Sequence, residues 1–300
     1  MAQKNIDAAD VYGKPEVFES MQKDSRSSAQ EIVPIILQFI KPESVIDIGC
    51  GTGELLAIFK KHSIKRVMGV DGDWVDRKML QIKQEEFIGH DLRTGFSHDT
   101  AFDLAVSLEV AQHIPVKGIN IFVDSLARLA PVIVFAAPIP FQPPNPYVAG
   151  KYPLNEQWPE YWARLFKQRG FAAIDCLRSK MWNNERIASH YAQNIVLYAK
   201  EEYVNSNPLL KKAYENSVQP PLSLVHPMQY VMFRKAYENS LRFSSSSEPV
   251  TPYVMMTTDL GNLSFKELLT LFIRVFKVLP RVGVRAFIRR LMLLRRRQSG

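Results

Sequence analysis

The amino-acid sequence predicts an α/β protein built around a doubly wound, mainly parallel β-sheet. Two observations carry this prediction. Between about residues 45 and 200, short runs rich in β-branched residues alternate with stretches of helical periodicity, as in βαβ units. The composition, with 46% hydrophobic and 23% charged residues, supplies the apolar side chains that such a sheet buries and excludes a largely disordered chain.

Strands and helices are expected to alternate along this part of the chain. The strands are predicted at residues 44–48, 66–70, 85–88, 103–107, 131–136, 172–177 and 194–199. The helices are predicted at residues 25–40, 54–61, 74–80, 117–129 and 156–169. The first helix ends before Pro42, because the residue that precedes a proline disfavours helical backbone.

Basic charge is concentrated at the end of the chain. Ten of the 38 lysines and arginines, but only one of the 30 acids, lie in residues 265–300, so the rest of the chain is nearly neutral. The sequence therefore predicts four parts. They are a helical lead-in over residues 1–44, the sheet domain over 45–200, a helical or irregular connector over 201–264 and a basic amphipathic helical tail over 265–300.

A glycine-rich turn follows the first expected strand and precedes a helix. Its glycines let the backbone approach a ligand closely, and the helix start offers free N–H groups. The dinucleotide fingerprint is incomplete because Glu54 stands where its third glycine belongs, and the lysine of a phosphate-binding loop is also missing. What remains is an acid-x-Gly-x-Gly-x-Gly pattern from Asp47 to Gly53.

An acidic residue lies in or directly after each of the first three strands. Asp71, at the tip of the second strand, can accept hydrogen bonds from both hydroxyls of a ribose. Asp91, after the third strand, can accept one from an adenine amino group. Together with Asp47, and without a phosphate-binding lysine, they favour an adenosyl ligand that lacks phosphates. Helix capping is the alternative role of these acids.

These residues resemble class I S-adenosylmethionine-dependent methyltransferases, and among them bacterial methyltransferases of glycan and secondary-metabolite gene clusters. The resemblance covers about residues 12–200. It implies a Rossmann-like sheet with strand order 3-2-1-4-5-7-6, an antiparallel seventh strand, a C-terminal helical extension and S-adenosyl-L-methionine as cofactor. The segments that carry it are RSSAQEIVPIIL, VIDIGCGTGELL, GVDGDWVDR, FDLAVSLEVAQHIP, LNEQWPEYWARLFKQRGF and HYAQN.

The predicted cofactor site gathers residues that follow the first four strands. It comprises Asp47, Gly49, Cys50, Gly51, Thr52 and Gly53 in and before the turn, Asp71, Gly72, Asp73 and Trp74 after the second strand, Asp91 and Leu92 after the third, and Ser107 and Leu108 in the fourth. No metal ligand is predicted.

The candidate general base is His113, which lies just beyond the fourth strand, where residues face the ligand crevice. Methyl transfer is an in-line displacement in which the enzyme chiefly aligns the reacting atoms, and a hydroxyl acceptor also benefits from a base. The alternative roles of His113 are packing against the cofactor and capping the next helix. The candidate acceptor contacts are Asn155, Glu156, Gln157, Trp158, Tyr191 and Gln193, for which a loop clasp or internal hydrogen bonding is the alternative.

The chain departs from the group it resembles on the acceptor side. Gln112 replaces an acid, Pro153 and Leu154 replace a His-Val pair, and His190 replaces a tryptophan. The cofactor side is intact. We therefore expect an altered acceptor with S-adenosylmethionine binding retained.

The predicted function is O-methylation of a saccharide or of a saccharide-bearing lipid. Two alternatives stay open: a small-molecule N- or O-methyltransferase of a metabolite pathway, and a non-catalytic scaffold that binds S-adenosylmethionine. Nucleic acid is an unlikely partner, because the nearly neutral body lacks the basic surface that such partners require.

The tail predicts an interfacial anchor. Basic residues at helical spacing, beginning at Lys266, lie opposite an apolar face over residues 265–297, a pattern typical of helices that lie on anionic membranes. The alternatives are packing on the protein's own surface, a dimer contact and an RNA-binding arm. The first residues lack a signal pattern, and two cysteines suit a reducing compartment. We therefore expect a cytoplasmic protein, attached peripherally to the inner face of the membrane by its tail.

Overall fold

A computed structural model describes residues 15–140, 142 and 155–243, with side chains described from residue 25 to residue 235 within those ranges. The strands are β1 (Ser44–Ile48), β2 (Arg66–Asp71), β3 (Phe87–Gly89), β4 (Leu104–Leu108), β5 (Val132–Ala136), β6 (Phe171–Ile174) and β7 (Val196–Lys200). The α-helices are α1 (Pro15–Leu37), α2 (Glu54–Lys61), α3 (Ile119–Leu129), α4 (Pro159–Lys167), α5 (Arg178–Met181), α6 (Ser189–Asn194), α7 (Glu201–Ser206), α8 (Pro208–Glu215) and α9 (Pro227–Phe243).

The strands form one seven-stranded sheet in the order β3-β2-β1-β4-β5-β7-β6. All neighbours are parallel except that β7 runs antiparallel to both β5 and β6. In register, Val45 pairs with Val67 on one side and with Leu104 on the other. The predicted strand order and the antiparallel seventh strand are confirmed.

The sheet is buried on both faces, which explains the continuous apolar runs of its central strands. One core cluster includes Val45 and Val134 and packs against α1 and α2. The other includes Ile46 and Phe135 and packs against α3 and α4. Because successive side chains of a strand point to opposite faces, adjacent residues of β1 and β5 join different clusters.

Several predicted elements differ from the structure in kind or in bounds. Residues 74–80 do not form an α-helix: only a 3-10 turn, Arg77–Met79, is present, capped by the Asp76 carboxylate, which accepts from the N–H of Lys78. A regular helix has no apolar stripe to bury there, because only Val75 is buried in that stretch. The third strand begins later than predicted, since a 3-10 turn occupies Gln84–Glu86.

The topology brings the ends of β1, β2, β3, β4 and β5 to one edge of the sheet, which we call the carboxyl edge. The antiparallel β7 begins at this edge, so the residues between α6 and β7 lie there too. Ligands of open α/β sheets bind in the crevice outside this edge.

The chain divides into two units, residues 1–233 and 234–300, and of the second the structure describes only residues 234–243 at the end of α9. The tail over 265–300, most of the connector beyond 243 and residues 1–14 of the lead-in lie outside the described residues, so the four-part organisation stays a prediction. Among the helices of residues 15–243 that are described, none combines the length and apolar character of a membrane span.

Candidate active site

The glycine turn between β1 and α2 is shaped by left-handed backbone. Gly49, Gly51 and Gly53 have φ of +88°, +54° and +83°. A Cβ on Gly49 would lie 2.2 Å from Val110 Cγ2, so the turn packs tightly on the segment after β4. A Cβ on Gly51 would meet no protein atom within 4 Å. The middle glycine therefore presents bare backbone to open space, as close approach of a ligand requires.

The carboxylate of Asp71, at the tip of β2, is tied to this turn. Its Oδ2 accepts from the N–H of Gly51 at 2.7 Å, and its Oδ1 accepts from the N–H of Gly72 at 2.7 Å. Burial raises the pKa of Asp71, and the two N–H donors oppose that rise. A carboxylate oxygen can accept two hydrogen bonds, and each oxygen of Asp71 accepts one from these backbone N–H groups. Each therefore keeps one lone pair, which suits a hydroxyl of a ribose.

Two buried acids lie beside the turn, where a negative charge is costly unless a cation accompanies it. Asp47 is 5% exposed, and burial, followed by repulsion from Asp71, raises its pKa to about 8. The pKa of the Cys50 thiol is raised by burial and by the same two acids. Two desolvated acids disfavour a phosphate and favour a cationic ligand. The residues present thus fit an adenosyl ligand that carries a sulfonium and an ammonium group rather than phosphates.

The remaining residues of the predicted cofactor site line the ends of β2 and β3. Trp74 folds back onto Gly72, whose Cβ would lie 2.1 Å from the indole. Asp73 is exposed and pairs with Arg77 at 3.0 Å. Leu92 is half-buried against the core.

Asp91 both caps a turn and pairs with a cation. Its Oδ1 accepts from the N–H of Arg93 at 3.0 Å, which caps the 3-10 turn Leu92–Thr94. The Arg93 guanidinium lies 2.7 Å from Oδ2 and holds the pKa of Asp91 below its usual range. Asp91 therefore has the capping role that was the alternative in the sequence analysis. Its contact with an adenine stays a proposal.

Ser107 requires a correction. Its side chain is fully buried, and its hydroxyl donates to the carbonyl of Ile48 at 2.9 Å, which joins β4 to β1. The hydroxyl is thus used within the sheet, and only the backbone of Ser107 and the half-buried Leu108 stay in the proposed cofactor site.

Glu109, which the sequence analysis did not select, directly follows β4. Its φ of +59° lies in the left-handed region, which costs about 1–3 kcal/mol for a residue with a side chain. Its N–H donates to Ala136 at 2.9 Å, and its carbonyl accepts from Gln112 Nε2 at 2.8 Å. Glu109 could have been selected from the sequence, because it is an ionisable residue that directly follows an apolar strand.

Three buried amides surround the Glu109 carboxylate; we call Gln142, Gln193 and Asn194 the amide cluster. Asn194 Nδ2 donates to Glu109 Oε1 at 2.9 Å, and Gln142 Nε2 lies 3.4 Å from Oε2. Within the cluster, Gln142 Oε1 accepts from Asn194 at 2.8 Å and from Gln193 at 3.0 Å. Burial raises the pKa of Glu109 to about 7, although these amides oppose the rise.

Gln193 is largely used within the amide cluster. Its Nε2 donates to Gln142 and Asn194, and its Oε1 accepts from the N–H of His226 at 2.8 Å. Both N–H groups of the amide are thus used within the cluster, and Oε1 keeps one lone pair, so contact of Gln193 with an acceptor stays a proposal.

Two other buried amides near this edge have a polar atom that no described residue satisfies. They are Asn155 Nδ2, in a side chain 2% exposed, and Gln112 Oε1, in one 8% exposed. The segment that holds Asn155 lies along the end of β5, because the N–H of Gln157 donates to Pro138 at 3.3 Å. Buried polar groups are nearly always hydrogen-bonded, so these two atoms indicate a missing partner.

The other predicted acceptor-side residues take distinct positions. Trp158 precedes α4 and is 36% exposed. Glu156 acts electrostatically on Glu109. His113, the candidate base, ends the 3-10 turn Ala111–His113 and is half-buried. The ring of Tyr191 lies 4.3 Å from that of His190 in a tilted arrangement, and burial lowers the pKa of His190 to about 4.

The chain matches a protein family described as "Methyltransferase domain" over residues 21–175, just over half its length. No curated protein matches the chain.

Solved structures resemble the chain at low identity. One, from Nostoc punctiforme PCC 73102 and assigned provisionally as an O-methyltransferase, is 15% identical with a TM-score of 0.46, covering 61% of this chain and 58% of its own. The plantazolicin methyltransferase BpumL, solved with a desmethyl plantazolicin analogue and S-adenosylhomocysteine, is 15% identical with a TM-score of 0.45, covering 64% and 95%. The methyltransferase domain of bacterial CtHen1-C is 16% identical with a TM-score of 0.43, covering 58% and 97%. At such identities the likeness concerns the fold alone.

Proposed function

Because the chain belongs to the methyltransferase domain family, we propose that it methylates a hydroxyl group of a saccharide or of a saccharide-bearing lipid. The protein is an S-adenosylmethionine-dependent methyltransferase, as the family match indicates. When bound, S-adenosylmethionine supplies a methyl group on a sulfonium sulfur. The finer assignment, to a saccharide hydroxyl, is our proposal.

In the proposed cofactor site, the ribose hydroxyls bind the free lone pairs of Asp71, and the adenosyl group lies over the bare backbone of Gly51. The raised pKa values of Asp47 and Asp71 support a cationic ligand, because a nearby positive charge would lower both. Asp91 and Leu92 are proposed to contact the adenine, and Trp74 to border the same pocket.

The observation that supports the saccharide proposal is a pair of buried amide atoms, Gln112 Oε1 and Asn155 Nδ2, that have no hydrogen-bond partner among the described residues. Gln112 Oε1 can accept a hydrogen bond and Asn155 Nδ2 can donate one. This pair suits the hydroxyls of a sugar, since each hydroxyl both donates and accepts. The exposed face of Trp158 can stack under a sugar ring beside them. Glu156, Gln157 and Tyr191 complete the proposed acceptor side.

The proton of the acceptor hydroxyl has two candidate destinations at this edge. His113 is the choice from the sequence, with an imidazole whose ordinary pKa suits neutral pH. Glu109 is the second.

For the tail over residues 265–297, which lies outside the described residues, we propose binding to an anionic membrane surface. The ten basic residues of 265–300 against one acid support it. Such binding would bring the enzyme to lipid-linked acceptors.

The test is release of S-adenosylhomocysteine from the full-length protein with a panel of nucleotide sugars, glycolipids in vesicles, and phenolic and amine metabolites. Turnover confined to saccharide-bearing acceptors is the expected result. Turnover of phenols or amines alone would favour the small-molecule alternative. Saturable cofactor binding with no turnover would favour the non-catalytic scaffold.

A further inference from the structure

We infer that Glu109 is the residue that takes the hydroxyl proton of the acceptor during methyl transfer, an inference that rests on the proposed function. The geometry of the carboxyl edge points to this carboxylate. Its neighbour Val110 touches Gly49 of the glycine turn, so Glu109 lies beside the proposed cofactor site. The Gln112 side chain donates to the carbonyl of Glu109, and Glu156, next to Asn155 in the chain, acts electrostatically on the Glu109 carboxylate.

The backbone of Glu109 is held in its left-handed conformation from both sides. The hydrogen bond from its N–H to Ala136 ties it to the end of β5, and the Gln112 side chain holds its carbonyl. Strained backbone of this kind persists only where the surroundings enforce it, and such residues cluster at functional sites.

The two oxygens of the carboxylate differ in how well they are satisfied. Oε1 accepts a well-formed hydrogen bond from Asn194, whereas the 3.4 Å separation of Oε2 from Gln142 is too long for a strong one. Both donors are neutral amides, so they orient the carboxylate without neutralising it. Oε2 is therefore the oxygen available to receive a proton.

The amide cluster is itself fixed by buried groups. Arg178, which is 2% exposed and pairs with Asp175, donates to the carbonyl of Gln193 at 3.2 Å. The N–H of His226 donates to the Gln193 side chain. This second layer holds the amides in place before an acceptor binds, which keeps the carboxylate in a productive orientation.

The ionisation of Glu109 suits the role. Burial raises its pKa to about 7, repulsion from Glu156 adds to the rise, and Asn194 and Gln142 oppose it. Other titratable groups near this edge are Asp47, Cys50 and Asp71 at the glycine turn, Glu156, His113 on the same segment, His190 on α6, and His226 beyond the amide cluster. A base whose pKa lies near the operating pH combines a useful fraction in the active form with the ability to hold a proton.

The proposed step balances in atoms and charge. The acceptor oxygen forms a bond to the methyl carbon, and the carbon–sulfur bond breaks with its electron pair left on sulfur. The hydroxyl proton passes to Glu109 Oε2, which becomes a carboxylic acid and later releases the proton to solvent. One positive sulfonium and one negative carboxylate are consumed together, so no charge is left in the buried site.

The test compares E109Q with the matched control E160Q in the full-length protein, since the Glu160 side chain is exposed on α4. The probe is whichever nucleotide sugar or glycolipid the wild-type protein methylates. Because a positioned base contributes about 10² to 10⁴-fold, E109Q should lower kcat by at least about 10²-fold. S-adenosylhomocysteine affinity by calorimetry should stay within about threefold, as expected for a group that acts on the acceptor proton. E160Q should match the wild type.

The pH dependence separates Glu109 from His113. In the wild type, kcat should rise with pH through about 7 and level off above it, because the base acts when deprotonated. The H113Q variant should keep this rise of kcat with pH. The E109D variant, which has a carboxylate on a shorter side chain, should also keep the rise but with a lower kcat. The inference would be overturned if the rise of kcat with pH were lost in H113Q and kept in E109Q. It would also be overturned if kcat of folded E109Q fell by less than about fivefold.

A second readout does not depend on turnover. With ¹³C-labelled glutamate side chains, one carboxyl should titrate near pH 7 in the wild type and in E160Q, and its signal should be missing from E109Q. If no saccharide is methylated but this signal behaves as expected, the acceptor class fails while the inference about Glu109 is supported. If no glutamate titrates above pH 6, the inference about Glu109 is wrong whatever the acceptor.

Discussion

The Asp71 carboxylate accepts a hydrogen bond from the backbone N–H of Gly51 at 2.7 Å and so joins the tip of β2 to the glycine turn after β1. We propose that this one acid has two roles. It fixes the backbone that faces the proposed ligand, and it offers its remaining lone pairs to that ligand. Variants of Asp71 must be interpreted with both roles in mind.

Replacing Asp71 by alanine should weaken binding of S-adenosylmethionine by roughly 10- to 150-fold, the loss of about 1.5–3 kcal/mol expected for hydrogen bonds to a charged group. Calorimetry gives the dissociation constant, and circular dichroism confirms folding. Asp71→Asn is the matched control: it keeps one acceptor oxygen but loses the charge, so its affinity should be intermediate. An unchanged dissociation constant in folded Asp71→Ala would remove the ribose assignment.

Two glycines of the same turn should respond differently to alanine. Gly51→Ala adds a methyl group that meets no protein atom, so the folded protein should lose only the ~1–2 kcal/mol of left-handed backbone. The dissociation constant for the cofactor should nevertheless rise by roughly tenfold or more, since the methyl group enters the ligand space; tenfold is about 1.4 kcal/mol.

Gly49→Ala is the comparison variant. Its Cβ would lie 2.2 Å from Val110, so it should lower the melting temperature well beyond the effect of Gly51→Ala. If Gly51→Ala binds cofactor like the wild type, the proposed position of the adenosyl group is wrong.

Acid should destabilise the protein in part through His190. Burial lowers its pKa from an ordinary 6.5 to about 4, so between these values the unfolded chain binds a proton that the folded chain does not. Above pH 6.5 His190 is neutral in both states and does not lower the free energy of unfolding. As the pH falls from 6.5 toward 4, protonation of His190 in the unfolded chain lowers that free energy. Urea unfolding at pH 7.5 and 5 measures the loss, which should be smaller in His190→Gln. Equal losses in both proteins would show that His190 ionises alike in both states.

Binding of the tail to anionic membranes is tested by flotation with vesicles. The full-length protein should float with vesicles that contain anionic lipid, float less with neutral ones, and detach as salt screens the charges. Joint replacement of Arg295, Arg296 and Arg297 by glutamine should weaken binding by about 100-fold, at ~1 kcal/mol for each charge.

The matched control replaces three exposed lysines, Lys167, Lys211 and Lys212, by glutamine and should float like the wild type. If the arginine variant floats equally well, the membrane proposal fails. A full-length protein that ignores anionic vesicles and shifts RNA in a gel would favour the nucleic-acid alternative.

Local sequence was sufficient to predict the sheet and the glycine turn. Helix α2 and strand β1 have the predicted bounds, because each is a continuous apolar or periodic run with clear ends. The order of the strands came from the resemblance. Residues 74–80 were predicted as a helix because they lie between two strands of an alternating pattern, but only Val75 of that stretch is buried.

The acceptor side was harder to predict because its contacts are distant in sequence. Glu109 and Asn194 are 85 residues apart, and no local pattern pairs them. Distance in sequence also hides the hydrogen bonds of Gln193, whose side chain pairs with Gln142 and His226. The inward Ser107 hydroxyl follows from the register of β1 and β4, which only the sheet reveals.

The most direct test of the account is methyl transfer itself, measured with S-adenosylmethionine that carries a deuterated methyl group and the acceptor panel described above. We predict formation of S-adenosylhomocysteine together with a saccharide or saccharide-bearing lipid whose mass rises by one deuterated methyl group, with both products lost in Asp71→Ala at limiting cofactor. Saturable binding of S-adenosylmethionine with no labelled acceptor in any member of the panel, or labelled acceptor at equal yield in wild type and Asp71→Ala, would contradict it.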